Sequence, residues 1–573
     1  MSDLSRRTFV KGLAMGGAVA GLGLWKPSAW AGTDTLPRQP VLTGTEFDLV
    51  VGETSMNFTG KPRTALTVNG SLPAPLLRWR EGDTVTLRVR NALDEDTSIH
   101  WHGILLPANM DGVPGLSFHG IHPGETYEYR FRVRQNGTYW YHSHSAFQEQ
   151  RGVYGPLLID PAEADPVRYD REHTILLSDW TDESPERIFA KLKKRSDYYN
   201  LNQRTFGDLV GDLRRDGWKS TLAERSAWGK MRMSARDLAD VTGYTYTYLM
   251  NGHAPAANWT GLFSPGERVR LRFINGSAMT YFDIRIPGLK MTVVAADAQH
   301  VHPVVVDELR MAVAETYDVI VEPDGEAYTI FAQAMDRTGY AAGTLAVREG
   351  VQAAVPAVDP RPTLAMTDMG HGDLGHDMGS HGEHSGHDMP AMDDKPLSHP
   401  ESEKGNPLVD MRTTAPASKF DDPGIGLRDN GRRVLTYGDL KSVFPDPDGR
   451  EPGRTLELHL TGHMERFAWS FNGVKFTDAE PIRLAYGERI RIVLVNDTMM
   501  THPIHLHGMW SDVEDDEGNF KVRKHTVDMP PGSRRSFRVT ADALGRWAFH
   551  CHLLYHMEAG MFREVRVEEG AAS

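Results

Sequence analysis

A chain of 573 residues is longer than one hydrophobic core organises and implies about three domains. A formal net charge of -14 leaves nothing to neutralise phosphates, which excludes nucleic acid as a partner, and a single cysteine excludes an internal disulfide framework. With 55 glycines and 34 prolines beside 40% hydrophobic residues, the composition favours turn-rich β structure over long helices.

The N-terminus reads as an address. Ser5-Arg6-Arg7-Thr8-Phe9-Val10-Lys11 is a twin-arginine sequence, followed by a mildly apolar stretch from Gly12 to Leu24 and an A-x-A site at Ala29-Trp30-Ala31. The apolar stretch is too short to span a membrane. Residues 1–31 are therefore expected to be a signal peptide for export to the periplasm, leaving a mature chain without a transmembrane anchor, expected to be a monomer.

Next along the chain, one pattern occurs three times. Asn69-Gly70, Glu81-Gly82-Asp83 and the strand-like run Thr84 to Asn91 recur as Asn251-Gly252, Pro265-Gly266-Glu267 and Val269 to Asn275, then as Asn472-Gly473, Tyr486-Gly487-Glu488 and Ile490 to Asn496. Each run alternates Arg with aliphatic residues, the period of a half-buried strand. The pattern predicts an all-β protein of three sandwich or Greek-key barrel domains, at 32–165, 241–350 and 431–573.

The copies differ in what they carry. Nine and eleven residues beyond the closing Asn stand His100 and His102 in the first copy and His505 and His507 in the third, but Ile284 and Ile286 in the second. A second alignment, anchored on Gly137 and Gly545, sets His142-Ser143-His144 against His550-Cys551-His552, Gln148 against His556 and Val153 against Met561. The middle copy reads as a spacer that positions the outer two. Residues 166–240 are expected to be a partly helical insertion connecting the first two domains. Residues 351–430 are expected to be a mobile linker that includes a tract of Met366, Met369, His371, His376, Met378, His381, His384, His387, Met389, Met392 and His399.

On a strand, alternate side chains face opposite ways, so in His550-Cys551-His552 the thiolate faces one site and both imidazoles another. His100/His102, His142/His144, His505/His507 and His550/His552 form four such pairs, and their eight imidazoles suffice for three copper ions with open positions for oxygen. His502, Cys551 and His556, with Met561 as a long axial ligand, make the two-His, one-Cys set of a blue copper.

His100-Trp101-His102-Gly103, Tyr141-His142-Ser143-His144, the run His502-Pro503-Ile504-His505-Leu506-His507-Gly508, and His550-Cys551-His552 through Met561 resemble the four signature motifs of the multicopper oxidases. Within that family, Tyr248 to Pro255, Ala295-Ala296-Asp297, the insertion, the signal and the Met/His tract resemble the periplasmic copper-resistance oxidases of the CopA type. The resemblance implies cupredoxin-like domains and four coppers. Type 1 copper would take His502, Cys551, His556 and Met561. Type 2 would take His100 and His505, and the type 3 pair His102, His142, His144, His507, His550 and His552. It further implies one-electron oxidation of a donor at type 1 and four-electron reduction of dioxygen to water at the trinuclear cluster. A carboxylate must deliver protons. Asp111 matches an acid of related oxidases and equally suits the turn Asp111-Gly112; Glu558 neighbours Met557, where relatives often carry an acid.

Cuprous ion prefers thioether and imidazole ligands. Met499 and Met500, close to Asp497 and just before His502, suit Cu(I) beside the electron acceptor, and the Met/His tract suits copper capture. The leading reading is a cuprous oxidase in copper resistance, with Cu(I) and dioxygen as substrates and other periplasmic copper carriers as candidate partners. A laccase-like oxidase of phenols or amines and a copper-sequestering protein are the alternatives.

Overall fold

The computed structural model describes residues 39–371 and 398–570. The signal sequence and the tract residues His376, Met378, His381, His384, His387, Met389 and Met392 lie outside the described residues.

The described residues form six sheets, which fall into three sequential pairs. The first pair runs from Val41 to Asp160, the second from Arg171 to Ala346 and the third from Arg454 to Glu568. Each repeat begins alike because its Asn-Gly pair adopts left-handed angles at both residues, the type I′ hairpin turn that fits strand twist. The side chains of Asn69, Asn251 and Asn472 then accept the amide of the preceding strand, from Val50, Leu176 and His459, at 2.7 Å each. The closing asparagines also act alike. Asn91, Asn275 and Asn496 each donate their side-chain amide to two backbone carbonyls, one of them in the loop that leads to His100, Ile284 or His505.

The strand Arg171–Thr181 lies inside the stretch expected as a connector, yet it sits within the second pair of sheets. It runs parallel to Val269–Asn275 and antiparallel to Tyr246–Met250. Ile175, Leu176 and Leu177 are fully buried there, so burial decides the conformation. Helical structure follows it, in Pro185–Lys194 and in Phe206–Met231, which is kinked at Gly217. Ile188 and Leu192 bury one face of the first helix, and Phe189 meets Phe147 and Tyr555.

The described flanks of the expected linker are held to the β body. Asp359 accepts from Arg285 and Gln333, the Leu364 amide bonds to the Ala235 carbonyl, and Met369 is fully buried. Polar contacts join the first and second sheet pairs as well. Thr138 donates to Asp318, which also takes Arg270 and Arg272, all buried. One buried carboxylate thereby ties strands of both sheet pairs together.

Candidate metal centre

His100–His102 pairs with Gly137–His142 so that His100 stands opposite His142, and His502–Leu506 pairs with Gly545–Cys551 so that His505 stands opposite His550. Alternation sends Trp101 the other way, against Trp79, Tyr129 and Tyr141 in the first core. The first and third sheet pairs thus present their histidines to one another. Ring centroids lie 3.9 Å apart for His100 and His507 and 3.8 Å for His102 and His505. His142 and His552 are 4.9 Å apart, and His144 and His550 5.0 Å. All eight predicted imidazoles meet in one buried cluster, with only His144 partly exposed.

Hydrogen bonds mark an outer and an inner nitrogen on most of these rings, while neither nitrogen of His552 has a partner. His100 Nδ1 donates to the Asp111 carbonyl, His505 Nδ1 to the His525 carbonyl, His550 Nδ1 to the Cys551 carbonyl and His507 Nδ1 to the Asp111 carboxylate. Their inner atoms are different: Nε2 of His100, His142, His144 and His505, and Nδ1 of His102, are buried without any hydrogen-bond partner. His507 Nε2 and His550 Nε2 face each other at 3.1 Å. Unpartnered buried nitrogens cost free energy unless something else satisfies them, and metal ions do so. Burial and neighbouring imidazoles hold His102, His142, His144, His505, His507 and His552 well below the ordinary histidine range, and burial brings His550 down to about 4. Neutral rings with inward lone pairs fit several closely spaced metal ions.

On the other face of Gly545–Cys551 lies a second donor set. Cys551 Sγ is 3.5 Å from His502 Nδ1 and 3.9 Å from His556 Nδ1, and the two nitrogens are 3.1 Å apart. This triangle suits one ion bonding at ~2.0–2.3 Å, the range for nitrogen and sulfur on a divalent first-row metal. Met561 is fully buried beside it, its carbonyl accepting the Cys551 amide at 3.1 Å. Burial pushes the Cys551 thiol well above its ordinary range, so the thiolate needs a bound cation. Both imidazoles are braced from outside: His502 Nε2 meets Thr498 Oγ1 at 2.8 Å, and Trp469 stacks on His556 at 4.0 Å.

The first repeat has the same frame with a different filling. Thr97, Ser143 and Gln148 occupy the repeat positions of His502, Cys551 and His556. The Thr97 and Ser143 hydroxyls both donate to Gln148 Oε1, at 2.7 and 3.0 Å. Three mutually hydrogen-bonded, hard oxygen groups replace the soft donor set. In the second repeat, Ile284 and Ile286 are buried in the core.

The other predicted residues fall as follows. Asp111 is buried and touches two imidazoles, with Oδ2 2.8 Å from His507 Nδ1 and Oδ1 3.3 Å from His100 Nδ1. It also sits in a tight turn, since Gly112 has φ +79° and a Cβ there would lie 1.9 Å from the Ile99 carbonyl oxygen. Glu558 is exposed and lines an open cleft that reaches His144. Met499 and Met500 are buried and face two separate cavities. The Asp497 carboxylate turns instead towards His459, His399 and the Thr413 amide. Met366, Met369 and His371 belong to a short turn that closes against Thr413 to Ala415.

Three contacts had no local signal. Glu149 bonds His142 Nδ1 at 2.7 Å, with burial and the nearby Asp179 raising its carboxyl well above the usual range. His525 lies 3.2 Å from His102 Nε2; its amide is held by Asp297, which with Glu315 also pairs the buried Lys524. Asp240, at the end of the insertion, accepts from His556 Nε2 at 2.7 Å, and burial pushes its carboxyl up to about 7. A buried anion on a metal-facing imidazole favours the oxidised ion. Asp240→Asn is expected to raise the reduction potential of the ion held by His556 and Cys551, as read by spectroelectrochemical titration at pH 8. An unchanged potential would remove Asp240 from that role.

Comparison with known proteins gives matches along the chain. Three multicopper oxidase family models match residues 50–164, 171–350 and 450–571. The chain is 67% identical to a copper resistance protein A homolog of Pseudomonas syringae pv. tomato, over 99% of each chain. It is 64% identical to copper resistance protein A of Escherichia coli, also over 99% of each. Among solved structures it resembles Fet3p, a multicopper oxidase that functions in iron import, with TM-score 0.62 at 20% identity over 92% of this chain and 91% of the other. A laccase from Botrytis aclada follows the same fold with TM-score 0.61 at 21% identity, over 93% and 90%.

Proposed function

This chain belongs to the multicopper oxidase family, and on that premise we propose that it serves copper resistance by oxidising Cu(I) to Cu(II) at the expense of dioxygen. Its full-length similarity to copper resistance proteins supports the setting. The observation that carries the cuprous substrate is a cavity connected to His556 through Asp240. Met279, Met335 and Met500 line it together with Asp240 and Asp336. Thioethers select Cu(I), and the carboxylates suit a cation.

Four coppers fit the donor sets. His502, Cys551, His556 and Met561 would hold type 1. His100 and His505 would hold type 2. His102, His142 and His552, with His144, His507 and His550, would hold the type 3 pair. When bound, these ions supply one-electron acceptance at type 1 and four-electron reduction of dioxygen to water at the cluster. The protein arranges the rest. Cys551 joins the two sites through the peptide bonds to His550 and His552. Asp111 orients His507 and can pass a proton at Oδ2, while Glu149 holds His142. The middle domain positions the first through Asp318 on Thr138 and the third through Asp297 and Glu315 on Lys524.

The periplasm is the matching location, supported by Arg6-Arg7 and Ala29-Trp30-Ala31. Among the described residues no helix is long and apolar enough to cross a membrane.

Oxygen uptake with Cu(I) as sole donor tests the reading, comparing the whole protein with one lacking residues 372–397, which leaves both described flanks in place. Fast uptake in both is expected. Uptake with phenols but not with Cu(I) would select a laccase, and no uptake with either would leave sequestration.

A further inference from the structure

A further cluster of ligand-type side chains lies outside the two donor sets described above. His399 at the end of the Met/His tract, Glu403 just beyond it, His459 of the strand Arg454–His463 and Asp497 of the loop after Asn496 converge. Glu403, His459 and Asp497 are fully buried at the side chain and His399 mostly so. His459 Nδ1 is 2.7 Å from Asp497 Oδ2 and 3.8 Å from Glu403 Oε1. His399 Nδ1 is 3.2 Å from the same Asp497 oxygen and 3.1 Å from Glu403 Oε2. Four donors around a tetrahedral ion at ~2.0–2.2 Å would stand about 3.4 Å apart, within the span observed.

The outer groups are already arranged as a metal site requires. His399 Nε2 donates to the Thr413 carbonyl at 3.0 Å, and His459 Nε2 faces Glu457 at 3.4 Å, which leaves both Nδ1 atoms directed inward. Asp497 Oδ1 accepts the Thr413 amide at 2.8 Å, so Oδ2 is the inward oxygen. Glu403 Oε1 is buried without a hydrogen-bond partner. His459 Nδ1 stands 3.8 Å from it, beyond hydrogen-bond reach, and a bound cation would satisfy the oxygen.

We propose that His399, Glu403, His459 and Asp497 form a further metal site, distinct from the blue and trinuclear sites, for a divalent ion of borderline softness such as Cu(II). Two imidazoles and two carboxylates suit Cu(II) and offer Cu(I) none of the sulfur it prefers. The site goes beyond the oxidase reading and does not depend on which donor the oxidase uses. It would retain the divalent form of copper, and Asp497 sits next to Thr498, which braces His502.

Crystals of the copper-loaded full chain, measured at the copper absorption edge, provide the test. The expected result is an anomalous peak bonded to all four side chains, in addition to those at the oxidase sites. In solution, Glu403→Gln and His399→Ala are each expected to lower copper content by one ion per chain and to leave the blue absorption intact, which shows that the fold persists. Filled oxidase sites with no density among these four residues, or unchanged copper content in both variants, would overturn the proposal and leave a charge network.

Discussion

Replacing Cys551 by serine is expected to abolish the intense blue absorption and to bring donor oxidation to background, while the type 2 paramagnetic signal survives. Cys551 Sγ stands 3.5 Å from His502 Nδ1 and 3.9 Å from His556 Nδ1. A serine hydroxyl is harder and far less easily ionised, so the trigonal set loses its soft member. The neighbours should be little disturbed. The Cys551 backbone keeps its bond to Met561 and its register opposite Ile504, and His550 and His552 remain on the other face. Burying an imperfectly paired hydroxyl costs about 1–3 kcal/mol, small beside the loss of function. Optical and paramagnetic spectra on one sample check the result. A variant that stays blue would refute the ligand set.

Asp111→Asn is expected to slow reoxidation by dioxygen by roughly 10²–10⁴-fold, the usual contribution of a positioned acid or base, while anaerobic bleaching of the blue colour by donor keeps its rate. The amide oxygen can still accept from His507 Nδ1, and asparagine suits the turn before Gly112, so geometry is preserved and only proton exchange is lost. Stopped-flow measurement of the two half-reactions separates these effects. If Asp111 served only the turn, both rates would match the wild type. If it served only to orient His507, the asparagine variant would again be near normal, whereas Asp111→Ala would lose copper from the cluster.

How much of this was legible before the structure depends on the separation of the partners in the chain. The four H-x-H pairs and the Cys551 set announce themselves because a strand puts alternate residues on one face, and spacing alone then decides which groups share a site. The threefold repeat also follows from local chemistry, since Asn-Gly turns and their closing asparagines recur at fixed intervals. Even the lack of a His-Cys-His donor set in the first repeat was legible as Ser143 and Gln148. Their mutual hydrogen bond, and the part of Thr97 in it, were not.

The sequence by itself thus determined which histidines share a strand face, on which face Cys551 stands, and the repeated β framework, because these depend on residues near one another in the chain. Only the tertiary structure decided what surrounds those donors. Asp240 reaches His556 across 316 positions, and Asp111 reaches His507 across 396. Asp497 lies close to the methionines in sequence, yet its carboxylate turns away from them to His399 and His459. Burial makes each of these contacts strong, and burial belongs to the packed chain as a whole.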